Sequence, residues 1–69
     1  MSMQCRIVLD HMQKQGPIIA KMAADLYGIQ RLSARIKDLK EIGVGIKSQF
    51  VTGINRYGCK VHYKEYWLA

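Results

Sequence analysis

The sequence has few of the residues that build disulfide, metal or catalytic sites. It contains two cysteines, Cys5 and Cys59, which stand far apart with no histidine at ligand spacing. We therefore expect neither a zinc site nor a disulfide framework, and no cofactor. Paired carboxylates, a Ser/His/Asp or Cys/His set and a phosphate-binding glycine loop are also lacking, which argues against an enzyme. His11 has no acidic or cysteine partner at useful spacing, so we interpret it as a surface or partly buried residue.

Long apolar runs and secretion signals are lacking as well. No apolar stretch approaches the roughly 18 residues of a membrane span, and no signal peptide is evident. We therefore expect a reduced, cytoplasmic protein with no membrane contact. With 69 residues and 49% hydrophobic content, we expect residues 1–69 to form one small domain with one modest core.

Acidic residues are scarce beside basic ones. The chain has 11 Lys and Arg against 5 Asp and Glu, a formal net charge of +6. The basic excess is concentrated in residues 29–69, which hold eight basic and three acidic residues, whereas residues 1–28 hold three and two. A localised basic surplus of this kind is typical of nucleic-acid-binding domains.

Residues 30–43 separate apolar from polar side chains at helical period. The apolar positions share one face, at Leu32, Ile36, Leu39 and Gly43. The opposite face and its shoulders carry small, donor-bearing or basic residues, among them Gln30, Arg31, Ser33, Ala34 and Lys37. Such a face is suited to entering a major groove. The alternative interpretation is the solvated face of an ordinary amphipathic helix.

Two shorter helices precede this one. Residues 3–15 predict the first, with Ser2 as its N-cap and Gly16-Pro17 as its end. Residues 18–27 predict the second, followed by Gly28 as a left-handed cap. Its buried side is expected at Ile18, Met22, Ala23 and Leu26. A short helix, a glycine turn of two or three residues and a longer helix indicate a helix-turn-helix, or otherwise any pair of antiparallel helices.

After Gly43 the pattern changes to that of strands. Residues 46–54 and 59–68 are rich in β-branched and aromatic residues, and Asn55–Gly58 between them has turn chemistry, which predicts a β-hairpin. We expect an inner face of Ile46, Phe50, Val61, Tyr63 and Leu68, with a bulge near Tyr66. The outward side chains are expected to be Lys47, Lys60, His62 and Lys64, with Arg56 near the tip.

Three helices followed by a basic hairpin resemble the winged helix-turn-helix family, and in particular its short phage- and prophage-encoded members. The resemblance covers nearly the whole chain and is carried by residues 8–12, 23–28, 32–39, Gly43 with Ile46, 55–58 and 66–68. It implies an α+β fold, a three-helix winged helix-turn-helix with a C-terminal β-hairpin wing. Ile19 departs from the pattern, because a Ser or Thr N-cap is expected there.

The resemblance implies double-stranded DNA as the partner and residues 30–43 as the recognition helix. Gln30 would then pair with adenine and Arg31 with guanine or a phosphate. Ser33 would contact base edges or phosphate, Ala34 a thymine methyl group, and Lys37 a base or the backbone.

The hairpin would be the wing of this fold. Lys47, Arg56 and Lys60 would hold it against the phosphates or place it in the minor groove. Arg35 lies at the edge of the core, and two roles remain open for it. It either contacts a phosphate or forms an ion pair with Asp25 or Asp38.

We favour a small phage or prophage transcriptional regulator. The alternatives are an excisionase-like architectural DNA-binding protein and a protein-interaction module that uses the aromatic residues Tyr57, Tyr63, Tyr66 and Trp67. One recognition helix buries only about 600 to 1,000 Å² on DNA, so we expect a homodimer or a cooperative assembly, at least on DNA. The candidate interfaces are those aromatic residues and an edge of the first helix formed by Met1, Met3 and Ile7.

Overall fold

The computed structural model describes residues 2–69, so Met1 and its predicted role in an interface lie outside the described residues. The elements in chain order are α1 (Met3–Lys14), β1 (Ile18–Ile19), α2 (Ala20–Tyr27), α3 (Leu32–Glu41), β2 (Ile46–Ile54) and β3 (Lys60–Leu68). The strands form one antiparallel sheet in the order β1-β3-β2. The predicted α+β class, with three helices and a C-terminal hairpin, is confirmed.

β1 was not predicted. Ile18 and Ile19 were assigned to the second helix, but they are extended and pair with Tyr66 and Glu65 of β3. The side chain of Ile19, the N-cap residue of α2, makes no capping hydrogen bond. Ile18 and Ile19 are both β-branched, and such residues favour a strand over the first turn of a helix. The second helix therefore begins at Ala20. Ile18 is fully buried in the core, but as a residue of β1.

The helix ends follow the expected capping chemistry. Ser2 accepts a hydrogen bond from the Cys5 amide at 3.1 Å, which confirms it as the N-cap of α1. Gly28 has φ 68° after α2, as predicted. α3 ends at Glu41, so Gly43 is not on its apolar face; it has φ 97° in the turn, where the Val44 amide donates to the Leu39 carbonyl at 3.0 Å.

The core lies between the helices and the base of the sheet. The predicted apolar face of α3 is confirmed, since Leu32, Ile36 and Leu39 are all buried. Its partners are Cys5, Val8 and Met12 of α1, Ile18, Ala23, Ile29 and Tyr66. The prediction for α2 was partly wrong: Leu26 is 61% exposed, and Ile29 beyond the turn is buried instead.

The hairpin register is continuous from Ile46 opposite Leu68 to Ile54 opposite Lys60, so the predicted bulge is wrong. Residues of β2 and β3 that lie opposite each other share a face. One face carries the core-packing Ile46, Tyr66 and Leu68 at its base, and further out Ser48, Phe50, Thr52, Ile54, Lys60, His62 and Lys64. We call it the concave face.

The other side, the outer face, carries Lys47, Gln49, Val51, Gly53, Val61, Tyr63, Glu65 and Trp67. Val61 and Tyr63 were therefore wrongly assigned to the inner face. Phe50 does lie on the same face as Ile46, but it is 77% exposed because the hairpin extends beyond the helices there.

Candidate nucleic-acid interface

The start of α3 presents most of the predicted base-reading side chains. Gln30 and Arg31 lie in the turn before α3, Ser33 lies in its first turn, and all three are exposed. Lys37 is exposed one turn further along, while Ala34 is half-buried. Because Leu32, Ile36 and Leu39 fix the opposite side of α3 in the core, these side chains have a defined direction toward solvent.

The backbone adds positive potential at the same end. The amides of Ala34 and Arg35 donate to the Arg31 carbonyl at 3.1 and 3.3 Å, and the side chain of Arg31, the N-cap residue, makes no capping hydrogen bond to α3. The amides of the first turn carry the positive end of the helix dipole, which attracts anions. Arg31 and Ser33 lie at this end, so side-chain and backbone donors are concentrated together.

A cleft of about 350 Å³ separates the start of α3 from the concave face of the wing. Its polar lining comes from Gln30, Arg31 and Ser33 on one side and from His62 and Lys64 on the other. His62 and Lys64 were expected only to point outward and were not among the predicted DNA-binding residues. Lys60, His62 and Lys64 are spaced by two residues, so they share one face of a strand. That pattern in the sequence could have added His62 and Lys64 to the predicted site.

Contacts within the wing hold these two side chains. Thr52 Oγ1 lies 3.3 Å from His62 Nδ1 on the opposite strand. The Lys64 ammonium lies 5.3 Å from the centre of the Phe50 ring and 5.8 Å from that of Tyr66. Cation–π contacts of this kind restrict a lysine side chain, so the Lys64 ammonium is held beside the cleft.

The wing tip is a turn braced by a side chain. Asn55 Oδ1 accepts hydrogen bonds from the amides of Tyr57 and Cys59 at 2.9 and 3.0 Å. Gly58 has φ 77°, whereas the φ of Asn55 is not positive. Arg56 is exposed at the tip, with its guanidinium 6.0 Å from the centre of the Tyr57 ring.

The two remaining predicted wing lysines lie on different faces. Lys60 lies on the concave face with His62 and Lys64, whereas Lys47 lies opposite Trp67 on the outer face. The structure therefore brings Gln30, Arg31 and Ser33 close to the wing and places Lys60 and Arg56 toward its tip. It separates Lys47 from this group.

Arg35 forms the ion pair that was one of its two predicted roles, and the partner is Asp38. Its Nη2 lies 3.2 Å from Asp38 Oδ2, and its Nη1 donates to Gln4 Oε1 at 3.2 Å. The side chain is half-buried between α1 and α3. Arg35 therefore joins α3 to α1.

His11 is buried, so its prediction as a surface or partly buried residue was wrong. Nδ1 lies 2.7 Å from the Tyr27 hydroxyl, and Nε2 lies 3.3 Å from the Pro17 carbonyl. In the neutral imidazole, Nε2–H donates to the carbonyl and Nδ1 accepts from the hydroxyl. Nδ1 thus joins α1 to the end of α2, and Nε2 joins α1 to the turn before β1.

A family model described as a winged helix-turn-helix domain matches residues 3–69. The chain belongs to the winged helix-turn-helix family. Searches of the curated proteins and of the solved structures found no match. Domains of this family are typically non-enzymatic and bind DNA, so membership suggests DNA as the partner of this winged helix-turn-helix chain. Phage or prophage origin stays a prediction.

Two further observations bear on the other expectations. None of the helices between residues 2 and 69 combines the length and apolar character required to cross a membrane. Over the same residues, His, Cys, Asp and Glu side chains form no group of three that could hold a metal ion.

Proposed function

We propose that this winged helix-turn-helix protein binds double-stranded DNA sequence-specifically in the cytoplasm, as a small phage or prophage transcriptional regulator. α3 enters the major groove, and the wing contacts the adjacent backbone or minor groove. The observation that carries the proposal is the cleft, in which donors at the start of α3 face His62 and Lys64 of the wing. The DNA backbone that runs between the contact of α3 and the contact of the wing is negatively charged, so it is complementary to the positive charge of this cleft.

The proposed base contacts come from the exposed end of α3. Gln30 pairs with adenine, Arg31 with guanine, and Ser33 with a base edge or phosphate. Ala34 supplies apolar contact to a thymine methyl group, and Lys37 contacts a base or the backbone. Their support is the exposure of the four polar residues and the fixed orientation of α3 above the core.

The proposed backbone contacts come from the concave face of the wing. Lys60 and Lys64 approach phosphates, His62 donates to one, and Arg56 reaches phosphate or the minor groove. Lys47 points to the outer face, so in this arrangement it adds to the overall positive potential without a direct contact.

Selection of binding sites from random duplexes, followed by titration over 50 to 200 mM salt, tests this proposal. We expect a recurrent site, and an affinity that falls with log salt at a slope of about −4 to −5, the value for four to six phosphate contacts. Lys14→Ala is the matched control, because Lys14 is exposed on α1 and pairs with Asp10. It should leave the slope nearly unchanged, whereas Lys64→Ala should reduce it by about one.

The same experiment separates the alternatives. Salt-dependent binding with no preferred sequence, together with bending of the duplex, would favour the excisionase-like architectural role. Absence of DNA binding at low salt would contradict both DNA roles. It would favour the protein-interaction module, for which the exposed wing residues Phe50, Ile54 and Tyr57 are the supporting observation.

A further inference from the structure

Within residues 2–69, the edge of β2 that faces away from β3 has no strand paired to it. In the order β1-β3-β2, β2 pairs on one side only. The Asn55 amide donates to Cys59 and the Ala69 amide donates to Gly45, each at 3.0 Å. Because an antiparallel ladder uses alternate residues, odd-numbered residues of β2 bond to β3. The backbone groups that face away belong to the even-numbered residues Ile46, Ser48, Phe50, Thr52 and Ile54.

This edge has little of the protection that soluble proteins give to edge strands. Natural edges carry charges, prolines or bulges, or lie under another element. The sequence of β2 has one charged residue, Lys47, and no proline, and its register with β3 has no bulge. Phe50 and Ile54 are 77% and 72% exposed beside the edge. The unpaired backbone N–H and C=O groups along this edge can form hydrogen bonds with another β-strand.

We propose that β2 pairs in antiparallel fashion with β2 of a second copy of this chain, about a two-fold axis at Phe50. In this register Phe50 lies opposite Phe50 of the second copy, Ile46 opposite Ile54, and Ser48 opposite Thr52. Every one of these pairs belongs to the even-numbered set, so all the outward backbone groups find partners. Lys47 lies opposite Gly53, and no like charges meet across the axis.

The self-complementarity of β2 is what selects a second copy as the occupant. Moving the axis to Gln49 or Val51 leaves Ile54 or Ile46 beyond the paired segment and places Phe50 opposite Ser48 or Thr52. Only the axis at Phe50 joins apolar with apolar and hydroxyl with hydroxyl over the full strand. An isologous contact of this type closes on itself and yields a dimer.

The pairing extends the sheet across both copies and keeps their concave faces on the same side. The rows of Lys60, His62 and Lys64 from the two wings then form one basic surface. Its use on DNA rests on the proposed function, whereas the pairing itself does not, so the test is made without DNA.

Cross-linking tests the register. In a Cys59→Ser background, Phe50→Cys would place two sulfurs across the axis, since Cα atoms of a hydrogen-bonded pair are about 5.5 Å apart, within the range of a disulfide. Thr52→Cys is the matched control on the same strand and face, but its counterpart lies roughly 14 Å away. We expect Phe50→Cys to form covalent dimers at least about tenfold faster under mild oxidation. Equal rates would overturn the proposed register.

Sedimentation equilibrium of the free protein tests the interface. Phe50→Lys places two positive charges at the axis, whereas Tyr57→Lys adds the same charge at an equally exposed aromatic residue of the tip. We expect dimerisation of the parent, a dimer dissociation constant raised at least about tenfold by Phe50→Lys, and a change within about threefold for Tyr57→Lys. Circular dichroism and thermal melts confirm that both variants fold.

A monomeric parent at all accessible concentrations, or equal effects of the two lysines, would overturn the proposal. Site selection on DNA is read separately, so a monomer that still selects a duplex would remove the dimer and leave the proposed function. A dimer that selects no duplex would contradict the proposed function and leave the proposed dimer.

Discussion

The helices and the outer half of the hairpin differ in what holds them in place. α1, β1 and α3 meet in a core in which Val8, Ile18 and Leu39 have no exposed surface. The outer hairpin is held by its ladder, by Asn55 in the tip and by the contacts of Lys64 with two rings. Its large apolar residues, Phe50 and Ile54, face solvent.

This difference indicates that the residues that stabilise the fold are not the ones that are exposed for contacts with other molecules. Burial of apolar surface supplies most of the stability of a small domain, so the core should dominate unfolding. The outer wing buries little, and its exposed aromatic and basic residues are available for contacts with other molecules. Substitutions in the two regions should therefore change different measured quantities.

The largest effect is expected in the core. Leu39→Ala removes a fully buried side chain of α3 and should lower the free energy of unfolding by about 2 to 5 kcal/mol. Tyr57→Ala at the wing tip, where Tyr57 is 79% exposed, should change it by no more than about 0.5 kcal/mol. Urea denaturation of the two variants measures both. Similar losses would show that the outer wing carries as much of the stability as the core.

The next effect concerns base reading at the start of α3. Arg31→Ala should cost about 1 to 3 kcal/mol on the selected site and relax the preference at one base pair. Lys37→Ala should weaken specific and random duplexes about equally and lower the salt slope by about one. Anisotropy titrations on both duplexes measure this. Equal losses on specific and random DNA for both variants would exclude base reading by Arg31.

A smaller effect is expected at the wing tip. Arg56→Ala should weaken DNA binding by about 1 kcal/mol, most on sites flanked by A·T tracts, where the narrow minor groove attracts arginine. The thermal midpoint should hardly change, as for other exposed substitutions. Competition between duplexes with different flanks measures the preference. Unchanged affinity for every flank would mean that the tip does not read DNA, and would favour a protein partner.

The smallest effect is expected at a surface ion pair far from the cleft. Lys14 Nζ lies 2.9 Å from Asp10 Oδ1 one helical turn away, and both side chains are largely exposed. Such pairs contribute about 0.3 kcal/mol, so Lys14→Ala should lower the thermal midpoint by roughly 1 or 2 °C. Calorimetry measures it, and a loss comparable to that of Leu39→Ala would remove the contrast between core and surface.

Local patterns in the sequence predicted the parts of the fold that local forces decide. The core face of α3, the Ser2 cap and the hairpin turn each depend on residues within a few positions of one another. β1 depends on Tyr66 and Glu65, far along the chain, and no periodicity in residues 18–19 indicates that pairing. Leu26 and Phe50 were expected to be buried because they share a periodic face with other apolar residues, but burial also requires a neighbouring element to cover them.

The predicted site was limited in the same way. Helical period was enough to select Ser33 and Lys37 of α3, and Gln30 and Arg31 directly before it, as exposed donors. The sequence alone does not show that His62 and Lys64 face the cleft. That requires the register of the hairpin, and also the position along the sheet at which the core ends. Lys47 was expected to point outward together with Lys60, His62 and Lys64, but the register places it on the opposite face from those three.

The pairing of β1 with β3 has a consequence for the order in which the protein folds. Ile18 completes the core from β1, which pairs with Glu65 and Tyr66 of β3. The helices α1 to α3 can therefore form early, but their packing is not complete until residues 60–68 are available. Non-local closure of this kind slows folding and makes it cooperative. During synthesis, the first two thirds of the chain should stay loosely packed on the ribosome until β3 has emerged.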